Sequence, residues 1–363
     1  MEESRRRSLV VGRWPEDEIL MSDSARVTPR VPDESSERRL FEIRREAEAT
    51  GKVAKAGIRP SGAPFPVASV ETGYYGIPLL KRPAWTWEIP LYFFVGGAAG
   101  AAAVVGSVAS YMGADRKLVR DARWIAAAGS VISPALLISD LGKPSRFLNM
   151  LRVFKPQSAM SMGVWTLVGF SAGSSAAAFA QFLSDRYGSS FPVRLIERAG
   201  DAASLLFGLP FSNYTGVLIG ATAIPVWNES VADLPIHFGM SGLSAAVGLL
   251  ELMGNNKSRA LQALGIGAAL FECWEGFKIE TRQNATLNPL RQGGSGLVTR
   301  AGGLLSGPVP TALRLASLFS SSRSLRKAAA ASAVAGSLLT RVAWIYAGHQ
   351  SAKDWKIPLG MKW

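Results

Sequence analysis

Glu88, Asp140, Tyr214, His237 and His349 can each exchange a proton or give a hydrogen bond, and they are scattered across most of a 363-residue chain. Asp140 closes an apolar run from Trp124 to Ile138. An acid at such a depth is costly in hydrocarbon unless it faces a partner, water or a ligand. The combination of donors, acids and histidines in an apolar setting suits a quinone. That ligand needs a donor to each carbonyl oxygen, a nearby group to exchange the proton, and an apolar slot for its tail. Each residue also has a plainer explanation. Glu88 can anchor at an interface, Asp140 can pair with Lys143 or Arg146, His237 can bond a backbone carbonyl, and Tyr214 can fill a core with its hydroxyl satisfied.

What could bring these residues together is a set of eight apolar segments, each near the roughly 20 residues that cross a bilayer. They span 87–112, 124–141, 160–183, 202–227, 234–253, 260–279, 301–319 and 328–348. The fourth is interrupted by Pro210, the seventh holds Pro308, Pro310 and Arg314, and the eighth carries Arg341. The expected fold is therefore all-α, a polytopic bundle of eight transmembrane helices over 85–354. It is preceded by a polar, extended or disordered arm over 1–84 and followed by a short tail over 355–363. Within the arm a short helix is expected over 36–50, and no signal-peptide pattern follows Arg5–Arg7. An even number of crossings puts both termini on one side, with Glu88 opening the first helix there and Asp140 ending the second. His237 opens the fifth helix on that side, His349 ends the eighth, and Tyr214 lies halfway along the fourth. Basic loop residues number twelve on each side, so charge does not orient the bundle. Trp85, Trp87, Trp124, Trp227, Trp344 and Trp355 lie near segment ends, as an aromatic belt would.

Composition agrees. The chain is 48% hydrophobic and only 18% charged, and its net charge of +13 is spread over many short loops. Contacts to lipid headgroups fit that spread, and a nucleic-acid surface does not. The single cysteine, Cys273, rules out a self-supplied iron–sulfur cluster. With two histidines, a di-haem cytochrome is excluded and no haem is expected. No metal site is expected either.

Four stretches carry a resemblance to a known family: WTWEIPLYFFVGGAAGA at 85–101, SPALLISDLGKPSRFLNMLRVFKPQSAMSMG at 133–163, NYTGVLIGATAIPVW at 213–227 and YAGHQSAKD at 346–354. Together they resemble the NrfD/PsrC family, the membrane subunits of polysulfide-reductase-type complexes. The resemblance implies eight core helices without haem and a pocket for exchangeable menaquinone or ubiquinone. It further implies a ferredoxin-like iron–sulfur partner subunit and a catalytic subunit carrying molybdopterin or a similar group, in a bacterial inner membrane. The positions matching the family pocket are Glu88, Asp140 of the SDLG motif and Tyr214 of the YTG motif. A histidine or asparagine that the family carries near the start of the first helix has no match here.

Around that pocket the sequence offers two further features. The loop carrying Lys143, Arg146, Arg152 and Lys155 lies on the same side as Asp140. It reads either as a docking surface for the partner or as an interfacial amphipathic segment on anionic lipid. Asp201, Glu251, Glu272, Glu275, Arg314 and Arg341 fall within or beside apolar segments. They read as ion pairs holding the bundle or as a proton route toward the pocket. Glu275 and Lys278, three apart, can pair on one helix face. Two other classes of function stay open, a secondary transporter and a passive membrane anchor. Against the transporter, the second half holds no counterpart of the SDLGKP motif.

Overall fold

The computed structural model describes residues 83–320 and 322–354 continuously, together with Leu80 and residues 38, 41–43, 45 and 46. The protein divides into two units, Met1–Val67 and Ala68–Trp363. In the first unit the described residues are helical. The rest of the arm and the tail from residue 355 lie outside the described residues.

In the second unit every regular element among the described residues is helical. The order is α1 Glu88–Tyr111, α2 Arg116–Asp140, α3 Arg146–Leu151, α4 Ala159–Tyr187, α5 Phe191–Gly220 and α6 Pro225–Glu229. It continues with α7 Leu234–Leu250, α8 Arg259–Thr281, α9 Asn288–Arg291, α10 Gly293–Ser306, α11 Pro308–Ser320 and α12 Arg323–Ser351. A π turn, Glu251–Asn255, extends α7, and a 3-10 turn, Ala285–Leu287, precedes α9. Polar side chains set several helix starts. Asp115 accepts from the Lys117 amide, Ser258 from Leu261 and Ser322 from Leu325, each meeting a donor that the first helical turn leaves free.

Six helices are long and apolar enough to cross a membrane: α1, α2, α4, α5, α7 with its π turn, and α12. Helix α8 is 23 residues long but carries Glu272, Glu275 and Lys278. The expected seventh segment is two helices, α10 and α11, meeting at Gly307 and Pro308. Pro308 cannot donate to the turn before it, so the rod breaks there. At Pro210 the expectation fails in the opposite sense. Helix α5 runs through that proline without interruption and stops instead at Gly220, before a turn and the short α6. Tyr214 therefore lies six residues from the end of α5 and not halfway along it. The second crossing also starts earlier than its apolar run, at Arg116, because Asp115 caps it there.

Helix α1 packs against α2, α5, α7 and α12, while α12 packs against α7, α10 and α11. The buried faces are rich in small residues, such as Ala98, Ala99, Ala101, Ala102 and Ala103 on α1. Large apolar side chains point outward, including Val131, Phe179, Leu206, Trp274 and Phe277. That inversion of a water-soluble core suits a lipid surround, where close backbone approach rather than water exclusion joins helices. Two of the expected belt tryptophans are not at the surface. Trp227 and Trp344 are buried, and the Trp227 indole donates to the Trp344 carbonyl at 2.7 Å. Trp85 stacks on Trp227, and Gly348 lets that ring approach because a Cβ there would overlap it. The end of α12 is thereby pinned beside the start of α1.

Candidate functional site

Helix α1 enters with Glu88 in its first turn, and Tyr92, four residues on, stands on the same face. Tyr92 is fully buried against Phe93, and its phenol lies within electrostatic reach of the phenol of Tyr214 on α5. Asp140, the last residue of α2, is half-buried and lies within electrostatic reach of Glu88. The end of α2, the start of α1 and the end of α5 thus bring two carboxyl groups and two phenols into one neighbourhood. Gly163 of α4 completes it. A Cβ there would overlap the Tyr214 ring, so only glycine lets α4 close over that tyrosine.

The hydrogen bonding of these four groups is sparse. Glu88 takes the hydroxyl of Thr86. Asp140 forms no ion pair with Lys143 or Arg146, so the plain helix-end pairing is not seen. Among the described residues neither phenol has a hydrogen-bond partner. Tyr92 belongs to the same buried apolar cluster as Phe93, Phe170, Phe211 and Phe238. Tyr92 carried no signal in the sequence beyond its spacing of four from Glu88.

His237 and His349 are placed differently. His237 is buried, with Nε2 3.3 Å from Glu272 Oε2 and its ring against Phe238 and Trp344. It belongs to a second polar cluster, in which Ser306 also donates to Glu272 Oε2 at 3.0 Å. Arg341 lies within electrostatic reach of the same carboxylate. Its guanidinium covers the Phe238 ring at 3.9 Å and donates to the Phe238 carbonyl at 2.6 Å. His349 sits half-buried in the last turn of α12, next to Gly348 and hence near Trp227.

The other buried charges form local ion-paired groups. Asp201 takes two bonds from Arg123, at 2.9 and 2.5 Å, and Arg123 also reaches Glu197 at 2.6 Å and Gln181. Glu251 pairs with Arg314 at 2.7 Å, both 1% exposed. Glu275 faces Lys278 at 3.5 Å, as the spacing predicts, and Lys278 also binds Asp233 at 2.5 Å. Arg123 and Asp233 were not singled out from sequence. Their partners lie 78 and 45 positions away, so no local spacing reveals them.

Outside the spans, Asp233 shows how such a cluster tunes a carboxyl group. Burial is the largest single influence and pushes it up. The Lys278 hydrogen bond and the charges of Lys278 and Arg282 together outweigh burial and hold it below the usual carboxylate range. The loop residues Lys143, Arg146, Arg152 and Lys155 are all exposed and form no ion pair among the described residues. The short helix α3 between them buries none of its residues, and Leu148, Val153 and Phe154 are exposed with it. Among the described residues no group of three or more His, Cys, Asp and Glu side chains is placed to hold a metal ion.

Comparison with known proteins follows the same outline. Residues 79–256 match the family described as "Polysulphide reductase, NrfD". The protein is also 27% identical over 191 residues to the C subunit of polysulfide reductase from Wolinella succinogenes, an alignment covering 47% of this sequence and 58% of that one. It thus spans somewhat more than half the length of the relative it matches. The matched region holds Glu88, Tyr92, Asp140, Gly163 and Tyr214, on helices long and apolar enough to cross a bilayer. This is an integral membrane protein, and its residues 79–256, just under half of the sequence, match the NrfD family of polysulphide reductase.

Proposed function

We propose that the protein is the quinone-reactive membrane subunit of a respiratory oxidoreductase complex, with the reaction centred on Glu88, Asp140, Tyr92 and Tyr214. The observation that carries this reading is the free hydrogen-bonding capacity of two phenols and two carboxyl groups brought together there, with Tyr92 set in a buried apolar cluster. A quinone head with two carbonyl oxygens matches two O–H donors, and its isoprenoid tail suits the apolar surround. Menaquinone and ubiquinone both present that chemistry. Oxidation of quinol releases two protons and two electrons. Tyr92 and Tyr214 orient the oxygens, and the Glu88 and Asp140 carboxylates accept the protons, the reverse holding for quinone reduction.

The electrons need an acceptor beyond this protein, which has one cysteine and two histidines. A ferredoxin-like iron–sulfur subunit at the Asp140 end of the bundle supplies it, and a molybdopterin-type catalytic subunit completes the transfer. Exposed Lys143, Arg146, Arg152 and Lys155, with Leu148 and Phe154 between them, give that partner a basic and apolar docking surface. The same surface can rest on anionic lipid when the partner is absent. Helix α8 and the α10–α11 pair complete eight crossings, in a bacterial inner membrane. Twenty-three residues of α8 reach about 35 Å at 1.5 Å each, enough for the hydrocarbon core. Its charges are met within the protein by His237, Ser306 and Asp233.

Asp140→Asn tests the reading most directly. The assembled complex carrying it should lose quinone-linked turnover by about a hundredfold, in the range of one general acid–base group. Normal turnover in a complex that still assembles would remove Asp140 from the reaction.

A further inference from the structure

A cavity of about 290 Å³ lies among α7, α8, α10, α11 and α12, and neither Glu88 nor Tyr214 lines it. His237 and Glu272 form part of its wall, and Phe277 and Leu304 contribute to its lining while remaining more than half exposed on the outer surface. The cavity therefore communicates with the surround of the bundle between α8 and α10. Gly276 and Gly303 also line it, and nothing stands within 4 Å of where a Cβ would be at either. Open volume at those two positions is set by the choice of glycine.

Its polar end is unfinished. Glu272 is 2% exposed, and its Oε2 faces His237 and Ser306, but Oε1 has no hydrogen-bond partner among the described residues. A buried carboxylate oxygen left unmet is expensive, so a donor is expected against it. A cation is a poor candidate, because Arg341 already brings positive charge to this carboxylate. A neutral O–H fits.

We propose that this cavity binds a neutral membrane-soluble amphiphile, whose head hydroxyl donates to Glu272 Oε1 and whose apolar body lies between Phe277 and Leu304. Two sources supply that chemistry, a hydroquinone head or an aliphatic lipid alcohol. The site shares no residue with the Glu88 site and does not depend on it.

Cys273, the single cysteine of the sequence, lines the same cavity and serves as a built-in reporter. In the full-length protein purified into nanodiscs, alkylation of Cys273 by N-ethylmaleimide is followed with a short-tailed hydroquinone, its dimethyl ether, dodecanol or dodecyl methyl ether added. The hydroxylated compounds should slow the reaction at least about fivefold, and the ethers should not. Protection by hydroquinone alone assigns a quinol-class ligand, by dodecanol alone a lipid alcohol, and by both a site that reads the hydroxyl only. Glu272→Gln should raise the half-protecting concentration about tenfold, as loss of a charged acceptor does. Glu88→Gln and Tyr214→Phe should leave protection unchanged, while quinone-linked turnover in the same complex reports on their own site separately. Equal protection by the ethers, no protection at all, or unaltered protection in Glu272→Gln overturns the proposal, as does its loss in Tyr214→Phe. Should Glu272→Gln not fold, Gly276→Leu fills open space and must reduce retention of radiolabelled hydroquinone or dodecanol by the purified protein. Unchanged retention there is equally fatal to the idea.

Discussion

At the scale of single residues, Tyr214 separates a packing role from a binding role. Its ring lies against Gly163 and its hydroxyl has no hydrogen-bond partner among the described residues. A tyrosine kept only for packing would lose little as phenylalanine, because no intramolecular bond is broken. Tyr214→Phe is therefore expected to leave thermal stability within about 0.5 kcal/mol while weakening quinone affinity about five- to tenfold, the value of one hydrogen bond. Parallel measurement of melting temperature and apparent quinone affinity checks this. Unaltered affinity would leave Tyr214 as filler. The buried pair of Arg314 and Glu251 invites the opposite experiment. Arg314→Met strands the Glu251 carboxylate in the interior, and a loss of about 3–5 kcal/mol is expected. Adding Glu251→Gln should recover most of it. If the double variant recovers stability and full turnover, the pair is structural. If it recovers stability but proton uptake stops, a proton route runs through Glu251.

At the scale of elements, the segment from α3 to the start of α4 has the most exposed apolar and basic surface close to Asp140. Its own helix buries nothing, so its side chains are available to a partner. Lys143→Glu combined with Arg152→Glu reverses charge there without touching a packed residue. The iron–sulfur partner should then fail to co-purify at ordinary salt, while the membrane subunit keeps its melting temperature. Retention of the partner would favour the lipid-contact reading of the loop. The broken α10–α11 pair has a different consequence. Its break at Gly307 lies against Cys273 of α8, and the two half-helices frame the cavity beside His237 and Glu272.

At the scale of the whole molecule, ionic links join elements distant in sequence, and Asp233 is the link with a readable pH signature. It ties the start of α7 to the end of α8 through Lys278 and Arg282. Its carboxyl titrates below the usual range in the folded protein, so its stabilising contribution is complete above the unfolded value of about 3.9. That contribution is lost as pH falls through the lower folded value. Melting temperature measured from pH 6 to pH 3 should therefore drop more steeply in the native protein than in Asp233→Asn. Parallel curves for the two would mean that the link carries no net stability.

The all-helical, membrane-embedded character and the likeness of residues 79–256 to the NrfD family are determined by the sequence alone. Apolar runs of spanning length and motifs such as SDLGKP are local, and local patterns survive without a fold. The same holds for the Glu275–Lys278 pair, which depends only on helical periodicity. Pro210 and Pro308 show the limit of such reasoning. Both are prolines in apolar runs, yet α5 continues through Pro210, while the helix breaks at Pro308, where the preceding Gly307 leaves helical geometry. Tertiary structure alone decided that Tyr92 joins Tyr214, that Trp227 and Trp344 leave the expected belt for the interior, and that His237 turns to Glu272. Each of these pairings spans 35 or more positions, and which face of a helix meets which neighbour is fixed only when the helices pack.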